Sequence, residues 1–221
     1  MTAISTFCPG CGQPAILRVM HGILKEKKVE EKAVLGLDIG CSLLAWDYLP
    51  INTFQTHHGR VVATMVGYKK AKPDSVSIAY AGDGGAYAIG FQSLLWAAIR
   101  DEPVTVIVNN NAVYAMTGGQ TAPTTMIGQK TSTSPAGSDQ MPVNGPELIR
   151  NLNKDAYIAR TTMTDMKELK GHLEKAFEAQ AQGHFSLVEV LSFCPTNWKV
   201  MGAELRAYVE RMQETFPLGT F

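Results

Sequence analysis

The sequence predicts an α/β fold built on a doubly wound, mostly parallel sheet. Short apolar segments of strand length alternate with longer helical segments along most of the 221 residues, as in proteins built from βαβ units. Several strand segments end directly in glycine-rich or Asn-rich turns, and such turns mark the ligand-binding edge of open α/β sheets. Hydrophobic residues make up 45% of the chain, which is enough for a substantial core.

The predicted elements follow one another in a regular order. The first helix begins at Gln13-Pro14, with proline in its first turn, and runs into the Lys-rich segment 25–28. The predicted strands are 33–39, 75–81, 104–108, 156–161 and 186–192. The further predicted helices are 61–72, 87–100, 165–182 and about 203–213. Since segment 87–100 is apolar almost all round, we expect its helix to be buried on several sides.

A long irregular segment interrupts this order between residues 114 and 146. Thr, Gly, Ser and Pro dominate it, and a loop of this length inside a compact domain is usually functional or disordered. Because it has few apolar residues, we expect it to bury little surface of its own and to be ordered mainly by a partner subunit. It would either shield an active site or serve as an ordinary subunit contact. We expect one domain over residues 1–192 and a C-terminal extension over 193–221.

Charge and composition argue against several classes of protein. Lys and Arg total 20 and Asp and Glu total 20, so the net charge of zero argues against a nucleic-acid or membrane-surface protein. No apolar run approaches the roughly 20 residues of a membrane span, and the N-terminus lacks the features of a signal peptide. We therefore expect a cytoplasmic protein whose four cysteines are ligands or buried thiols rather than disulfides.

Asp83 and Asn111 each follow a predicted strand, and they lie 28 residues apart. Because parallel strands end at one edge of a sheet, the two side chains should lie close together there. A carboxylate and an amide oxygen are ligands that suit Mg²⁺, which commonly carries the phosphates of a bound molecule. Gly82, Gly84 and Gly85 would let backbone N–H groups approach such an anion. These residues together predict a Mg²⁺-diphosphate site.

Two other interpretations of this region compete. A dinucleotide-binding fingerprint, G-x-G-x-x-G/A, does not fit because Tyr87 occupies its last position. The spacing alone is also compatible with a glycine turn and an Asn-rich turn that bind no ligand.

The four cysteines form one close pair, Cys8 and Cys11, and two distant single residues, Cys41 and Cys194. Alone, the C-x₂-C pair is compatible with a redox dithiol, half of a zinc site or no site at all. No predicted strand precedes Cys8, as a thioredoxin-like motif would require. A four-thiolate zinc site more often shows two close pairs. One close pair with two single cysteines suits an iron–sulfur cluster equally well.

The segment Gly82-Asp83-Gly84, followed by Asn111 within residues 110–114, resembles the thiamine-diphosphate motif. Residues 116–120, Met-Thr-Gly-Gly-Gln, narrow this resemblance to the β subunit of 2-oxoacid:ferredoxin oxidoreductases. The resemblance extends over nearly the whole chain, from Cys8 to Cys194. Within the family, the chain most resembles the 2-oxoisovalerate-type enzymes. The resemblance implies the α/β thiamine-diphosphate-binding domain of the diphosphate type.

The resemblance also implies which residues hold each cofactor. Mg²⁺ would be bound by Asp83, Asn111 and the backbone carbonyl of Val113. A [4Fe–4S] cluster would be held by all four cysteines, Cys8, Cys11, Cys41 and Cys194. The residues expected to contact thiamine diphosphate are Ile39, Gly40, Cys41, Ser42, His58, Gly82, Gly84, Gly85, Ala115 and Met116.

Two of these assignments connect different parts of the chain. Cys41 belongs to both sets, so its turn would keep the cluster close to the thiamine. His58 belongs to a His-Gly-Arg segment whose histidine approaches the cofactor in the family. The residues alone would instead favour a surface or capping role for the pair His57-His58, and His57 has no support from the resemblance.

The activity implied by the resemblance is the thiamine-dependent oxidative decarboxylation of a 2-oxoacid to acyl-CoA and CO2. Electrons would pass through the cluster to ferredoxin. No glutamate of this chain lies in a motif suited to activating the aminopyrimidine ring of the cofactor. In the family that glutamate comes from the α subunit, which contains the pyrimidine domain. We therefore expect an α subunit and further ferredoxin-type subunits as partners, with coenzyme A and ferredoxin as co-substrates.

The substrate and two rival functions stay open. Family members that act on 2-oxoglutarate often have a lysine within the segment that is Thr117-Gly118-Gly119-Gln120 here, and its absence favours an aliphatic substrate such as 2-oxoisovalerate. Pyruvate enzymes more often have Asn where Met116 stands. 2-Oxoglutarate and pyruvate remain alternatives. The rival functions are a non-oxidative thiamine-dependent decarboxylase subunit and a zinc-binding assembly subunit.

Overall fold

Seven strands form one sheet in the computed structural model, which describes residues 5–221. The strands are β1 (Ala33–Leu37), β2 (Asn52–Gln55), β3 (Val76–Gly82), β4 (Thr105–Asn110), β5 (Tyr157–Thr162), β6 (Ser186–Leu191) and β7 (Gly219–Thr220). Their order across the sheet is β2-β1-β3-β4-β6-β5-β7. Every neighbouring pair is parallel except β5 and β7, so the predicted mostly parallel α/β sheet is confirmed.

All five predicted helices are present, together with two short ones. The helices within residues 5–221 are α1 (Gln13–Glu26), α2 (Val61–Ala71), α3 (Phe91–Ile99), α4 (Gly145–Ile149), α5 (Met166–Ala181), α6 (Pro195–Trp198) and α7 (Ala203–Thr215). The carboxylate of Asp165 starts α5 by accepting the backbone N–H groups of Lys167 and Glu168 at 3.1 and 3.0 Å. None of the helices in this range has both the length and the apolar composition that crossing a membrane requires.

The helices cover both faces of the sheet. α1 and α5 contribute Leu17 and Leu173 to the core on one face, while α2 and α3 contribute Met65 and Leu94 to the core on the other. Residues of β3 alternate between the two cores, as strand geometry requires. This two-sided burial explains why the strand segments read as nearly continuous apolar runs.

The residues after 192 are anchored on the sheet by a small apolar cluster of their own. The fully or nearly fully buried members of this cluster are Ala112, Leu191, Phe193, Tyr208, Val209, Met212 and Phe216. The chain then returns to the edge of the sheet, where β7 pairs with β5. The division of the chain at residue 192 stays a prediction about its domains.

The outer face of α3 is not buried as expected. Trp96 and Ile99 of α3 are 54% and 45% exposed, and Ile89, in the short turn of helix just before α3, is 48% exposed, whereas Leu94 and Ala97 are buried in the core that α3 shares with α2. The prediction of a helix buried on several sides is wrong, because α2 and the sheet cover only one side of α3. The apolar residues of a helix can be identified from the sequence. Whether another part of the same chain covers them cannot.

The long segment between β4 and α4 is held together by hydroxyl groups. The hydroxyls of Thr121 and Thr131 lie 2.6 Å apart, and the Thr125 hydroxyl donates to the carbonyl of Ala112 at 2.7 Å. The buried residues of this segment include Ala122, Thr124, Thr125, Thr131 and Ser138. The expectation that it buries little surface of its own is therefore wrong, while its ordering by a partner subunit stays a prediction. The hydroxyl groups of this segment form hydrogen bonds with buried polar atoms, which apolar side chains could not do.

Candidate functional site

A cavity of about 180 Å³ opens at the carboxyl edge of the sheet, beyond the ends of β1, β3 and β4. The turn after β1, His58, the glycine turn after β3 and the chain after β4 supply most of its lining. All the residues expected to contact thiamine diphosphate or Mg²⁺ line it: Ile39, Gly40, Cys41, Ser42, His58, Gly82, Asp83, Gly84, Gly85, Asn111, Val113, Ala115 and Met116. The structure brings this set together, and the role of each residue stays a prediction.

Asp83 and Asn111 meet at this edge because β3 and β4 are parallel and in register. Gly82 pairs with Asn109, so the residues that follow each strand leave the sheet side by side. Both side chains are buried, with Asp83 only 2% exposed. The side-chain oxygen of Asn111 accepts the N–H of Val113 at 3.2 Å and so closes a tight turn. The carboxylate and amide oxygens of this pair are hard donor atoms that fit Mg²⁺.

The environment of Asp83 favours a bound cation. Burial raises the pKa of Asp83 from 3.8 to about 7, because the charged carboxylate is removed from water. Hydrogen bonds to its carboxylate from the hydroxyl of Thr124 and the N–H of Gly84 oppose this rise. A cation beside the carboxylate would oppose it further. Thr124 was not predicted, since it lies 41 residues farther along the chain and no local pattern marks it.

Of the three glycines at the end of β3 and just after it, two make room for neighbouring side chains. A Cβ on Gly84 would lie 2.0 Å from the ring of Tyr114, and a Cβ on Gly85 would lie 1.7 Å from Oδ2 of Asp38. A Cβ on Gly82 would meet nothing within 4 Å. The turn is therefore shaped by two side chains that contact its backbone directly, in addition to any role in binding an anion.

Asp38 is a buried carboxylate that the sequence analysis did not single out. It follows β1, it is fully buried, and its Oδ1 atom accepts the N–H of Gly59 at 2.6 Å. Its Oδ2 atom lies 3.4 Å from Nδ1 of His58. Burial raises the pKa of Asp38, while the N–H of Gly59 and the charge of His58 lower it. The sequence did contain a signal for this residue, because it places an acid at the end of an apolar strand. Buried acids are rare unless they are paired, so such an acid indicates a specific partner.

The four cysteines lie in the same region of the molecule, and one of them belongs to this cavity. Cys41 lines it, Cys194 is buried and Cys8 is exposed. Burial raises the pKa of Cys11 to about 11 and that of Cys41 to about 12. The charges of the Cys8 and Cys194 thiolates contribute to both increases. Cys8 and Cys194 thus lie within electrostatic range of Cys11 and Cys41.

The chemistry of these thiols fits an iron–sulfur cluster. The sulfur of Cys194 accepts hydrogen bonds from the backbone N–H of Asn197 at 3.4 Å and from its side-chain Nδ2 at 3.1 Å. Hydrogen bonds to sulfur are one of the means by which proteins tune such clusters. Within residues 5–221, no three His, Cys, Asp or Glu side chains are placed so that they could hold a metal ion. The cluster and the Mg²⁺ site accordingly stay predictions.

Known proteins resemble this chain over the region that forms the cavity. Residues 38–190 match the family model described as thiamine pyrophosphate enzyme, C-terminal TPP binding domain. The 2-oxoacid:ferredoxin oxidoreductase subunit beta of Saccharolobus solfataricus is 34% identical over 193 residues, which cover 86% of this chain and 62% of that relative. The 2-oxoglutarate synthase subunit KorB of Archaeoglobus fulgidus is 37% identical over 211 residues, covering 95% of this chain and 76% of KorB. The chain belongs to the 2-oxoacid:ferredoxin oxidoreductase β-subunit family.

Members of this β-subunit family differ in length and in the substrate for which they are named. The ketoisovalerate oxidoreductase subunit VorA of Methanothermobacter thermautotrophicus is 37% identical over 225 residues, which cover 97% of this chain and 47% of VorA. This chain therefore spans about half the length of the ketoisovalerate relatives that it matches. Relatives named for ketoisovalerate and for 2-oxoglutarate match at the same identity of 37%.

A solved structure shows the same fold for this β subunit. The structure is the 2-oxoglutarate:ferredoxin oxidoreductase from Magnetococcus marinus with 2-oxoglutarate, coenzyme A and succinyl-CoA bound. It superimposes with a TM-score of 0.84 at 24% identity and covers 100% of this chain and 81% of that chain. This likeness supports the fold described above.

Residues after 192 contact the chain that follows β4 at two points. The indole of Trp198 hydrogen-bonds to the backbone of Asn111. Asn197 lies so close to Gly119 that a Cβ on that glycine would be 2.4 Å from Oδ1 of Asn197. Neither contact was predicted, because Cys194 is the one functional residue that the sequence pattern indicates in this part of the chain.

Proposed function

We propose that this chain is the thiamine-diphosphate-binding subunit of a 2-oxoacid:ferredoxin oxidoreductase complex. The complex oxidatively decarboxylates a 2-oxoacid to acyl-CoA and CO2 and transfers the electrons to ferredoxin. The observation that supports this most strongly is the single cavity lined by every residue expected to hold thiamine diphosphate and Mg²⁺. The match to the 2-oxoglutarate synthase subunit KorB, which covers 76% of the length of KorB, supports the same assignment.

In this proposal the chain binds the diphosphate end of the cofactor. Asp83, the side-chain oxygen of Asn111 and the carbonyl of Val113 bind Mg²⁺, which carries the diphosphate. The imidazole of His58 and the backbone N–H groups of turns 39–42 and 82–85 surround the same space. Thiamine diphosphate, when bound, supplies a thiazolium that accepts the electron pair released as CO2 departs.

We assign the electron route to a [4Fe–4S] cluster held by Cys8, Cys11, Cys41 and Cys194. Cys41 lines the cavity between Gly40 and Ser42, which also line it, so one turn would contact both the cluster and the cofactor. Cys194 brings the cluster into contact with the C-terminal extension. The short path between the two groups favours electron transfer.

The proposed complex places a second chain beside the cavity. The cavity lining contains no glutamate among the described residues, so we assign the group that activates the aminopyrimidine to an α subunit. The guanidinium of Arg60 donates to the carbonyl of Ile89 at 3.3 Å, which places the segment just before α3 beside the His58 turn. The exposed apolar side chains of Ile89, Trp96 and Ile99 form a surface suited to that subunit. Further ferredoxin-type subunits would pass the electrons onward.

We further propose a branched-chain 2-oxoacid, such as 2-oxoisovalerate, as the substrate. Ile39 and Met116 line the cavity and are 40% and 47% exposed, so they present apolar surface at its mouth. The side chain of Gln120 is held by two hydrogen bonds to Thr117, at 2.7 and 2.8 Å, and the segment between them contains no cation. An apolar side chain would gain free energy by burial here, whereas a second carboxylate would lose hydration without being paired.

Anaerobic purification through a tag on this chain tests the proposed function. We expect a broad brown absorbance that bleaches with dithionite. The isolated complex should also reduce ferredoxin in a reaction that depends on both 2-oxoacid and coenzyme A. Release of CO2 without ferredoxin reduction would instead indicate a non-oxidative decarboxylase. A colourless protein that contains zinc would indicate an assembly subunit.

A further inference from the structure

The carboxylate of Asp38 lies behind the residues proposed to hold the cofactor and is not itself one of them. Its Oδ1 atom is fixed by the N–H of Gly59 at 2.6 Å. Its Oδ2 atom sits against the backbone of the glycine turn, since a Cβ on Gly85 would lie 1.7 Å from it. Because it is held on both sides, this carboxylate has little freedom to change its orientation.

The free oxygen of Asp38 faces the ring of His58. Within residues 5–221, Oδ2 has no hydrogen-bond partner, and Nδ1 of His58 lies 3.4 Å away. The same Nδ1 lies 3.2 Å from the carbonyl oxygen of Ile39. The carbonyl oxygen of Ile39 is an acceptor, and so is the ionised carboxylate of Asp38, so Nδ1 must bear a proton if the ring is to pair with either of them. The two acceptors together favour the forms of the His58 ring in which Nδ1 is protonated.

A ring protonated on Nδ1 leaves Nε2 as the nitrogen that is available to a ligand. His58 lines the cavity, and the edge of its ring meets the ring of Tyr114 with centroids 6.3 Å apart. The ionised carboxylate of Asp38 on one side of the ring and a phosphate group on the other side would each accept a hydrogen bond from it. The ring donates one hydrogen bond to the protein and one to an anionic ligand only as the imidazolium, which has a proton on Nδ1 and a proton on Nε2.

We propose that Asp38 is a positioning residue that holds the imidazole of His58 with Nδ1 protonated and so presents Nε2 to the diphosphate of the bound cofactor. This inference rests on the proposed function, because it takes thiamine diphosphate as the ligand. Asp38 acts only through His58 and does not contact the cofactor. Second carboxylates fix the tautomer and orientation of metal-binding histidines in the same manner.

The ring nitrogens of His58 report this arrangement without any cofactor. In the ¹⁵N-labelled full chain, their signals are assigned by their loss in His58→Gln. We expect Nδ1 to be protonated in the wild type, in either the neutral Nδ1–H form or the imidazolium. We expect a shift towards the Nε2–H form in Asp38→Asn, whose amide group would face Nδ1. Asp74→Asn changes an exposed aspartate just before β3 and is the matched control. A neutral Nε2–H ring in the wild type overturns the proposal, even if Asp38→Asn does not fold.

A double-mutant cycle separates positioning from general structural support. The affinity for thiamine diphosphate with Mg²⁺ is measured by calorimetry on the tagged complex after its cofactor has been removed. Asp38→Asn should weaken binding about tenfold in the wild-type background and less than about twofold in the His58→Gln background. An equal loss in both backgrounds overturns the proposal, because Asp38 would then act without His58.

The two measurements also distinguish this inference from the proposed function. If the wild-type complex binds no thiamine diphosphate in the presence of Mg²⁺, the proposed function fails, and the cofactor-directed part of the inference fails with it. The ring nitrogens then decide whether Asp38 holds His58. If the cofactor binds but the His58 ring is in the neutral Nε2–H form, the proposed function stands and the inference fails.

Discussion

The indole Nε1–H of Trp198 donates a hydrogen bond to the backbone carbonyl of Asn111 at 2.8 Å. Asn111 belongs to the proposed Mg²⁺ site, and Trp198 ends the short helix α6 that follows Cys194. Trp198 also stacks on Tyr208 of α7, with ring centroids 5.9 Å apart. One indole therefore connects the proposed metal-binding turn to the extension that contains a proposed cluster ligand.

Replacing Trp198 by Phe keeps an aromatic ring against Tyr208 and removes the N–H donor. The carbonyl of Asn111 then loses a largely buried hydrogen bond, which costs about 1–3 kcal/mol. We expect a looser turn and several-fold weaker binding of thiamine diphosphate with Mg²⁺, measured by calorimetry on the cofactor-free complex. Trp46→Phe, at an indole that is 56% exposed, is the control. Unchanged affinity in Trp198→Phe would show that the turn is held without this bond.

The cofactor-free chain should lose stability as the pH rises from about 4 to about 7. Folded Asp83 keeps its proton up to about pH 7, whereas in the unfolded chain it loses the proton near its ordinary pKa of 3.8. In this interval the folded state therefore holds more protons, and raising the pH favours unfolding. Burial also raises the pKa of Asp38 and of Glu189, and both groups contribute in the same direction.

The contribution of Asp83 to this pH dependence is isolated with Asp83→Asn. Urea unfolding at about pH 5 and about pH 7.5 should show a smaller loss of stability with pH in the variant than in the wild type. Asp74→Asn, at an exposed aspartate, should keep the slope of the wild type. Equal slopes in wild type and Asp83→Asn would contradict the burial of a titrating carboxylate at this position.

Met116→Lys should shift the substrate preference of the complex towards a dicarboxylic 2-oxoacid. Met116 lines the cavity at its mouth, so an ammonium group there can pair with the second carboxylate of 2-oxoglutarate. Gly118 is a poorer position for this change because its φ of 113° strains any other side chain. We expect the ratio of kcat/KM for 2-oxoglutarate over 2-oxoisovalerate to rise about tenfold.

Met141→Lys provides the matched control for this substitution. Met141 belongs to the same long segment and is 78% exposed, but it lines a different groove, away from the cavity. Its change should leave the substrate ratio unaltered. A ratio unchanged in Met116→Lys, with activity retained, would mean that this side of the cavity does not contact the substrate side chain.

Cys194→Ser should remove the cluster, and Asn197→Leu should retain it with an altered potential. Loss of the Cys194 thiolate takes away one of four ligands, so we expect loss of bound iron and of brown absorbance. Asn197→Leu removes the Nδ2–H···S bond of 3.1 Å and leaves all four cysteines in place. Because N–H donors favour the more negative reduced cluster, its reduction potential should fall, as measured by redox titration. A full complement of iron in Cys194→Ser would place the fourth ligand elsewhere.

The strands that border the site were predictable because their apolar runs stop abruptly at polar residues. Asp83 and Asn111 mark two such points, and parallel strands bring them to one edge. β2 (Asn52–Gln55) was missed, since it is a four-residue edge strand with partly exposed side chains and no apolar run. β7 (Gly219–Thr220) spans two residues and leaves no pattern at all.

The residues of the site that were missed reach it from distant parts of the chain. Thr124 is one of many threonines in an irregular segment, and its bond to Asp83 exists only once that segment has folded back. The same applies to Trp198, which lies 87 residues from the carbonyl that it contacts. Local motifs predict the residues that line the cavity, whereas long-range contacts determine which other side chains hold those residues in place.

The most direct test of the central claim is the visible spectrum of the anaerobic complex, isolated through a tag on this chain, with 2-oxoacid added and ferredoxin left out. In the presence of coenzyme A, 2-oxoisovalerate should bleach the iron–sulfur absorbance of the wild-type complex. The Asp83→Asn complex should bleach with dithionite but not with the 2-oxoacid. A wild-type complex that dithionite bleaches, but that 2-oxoisovalerate, 2-oxoglutarate and pyruvate all leave unchanged, would contradict the proposed function.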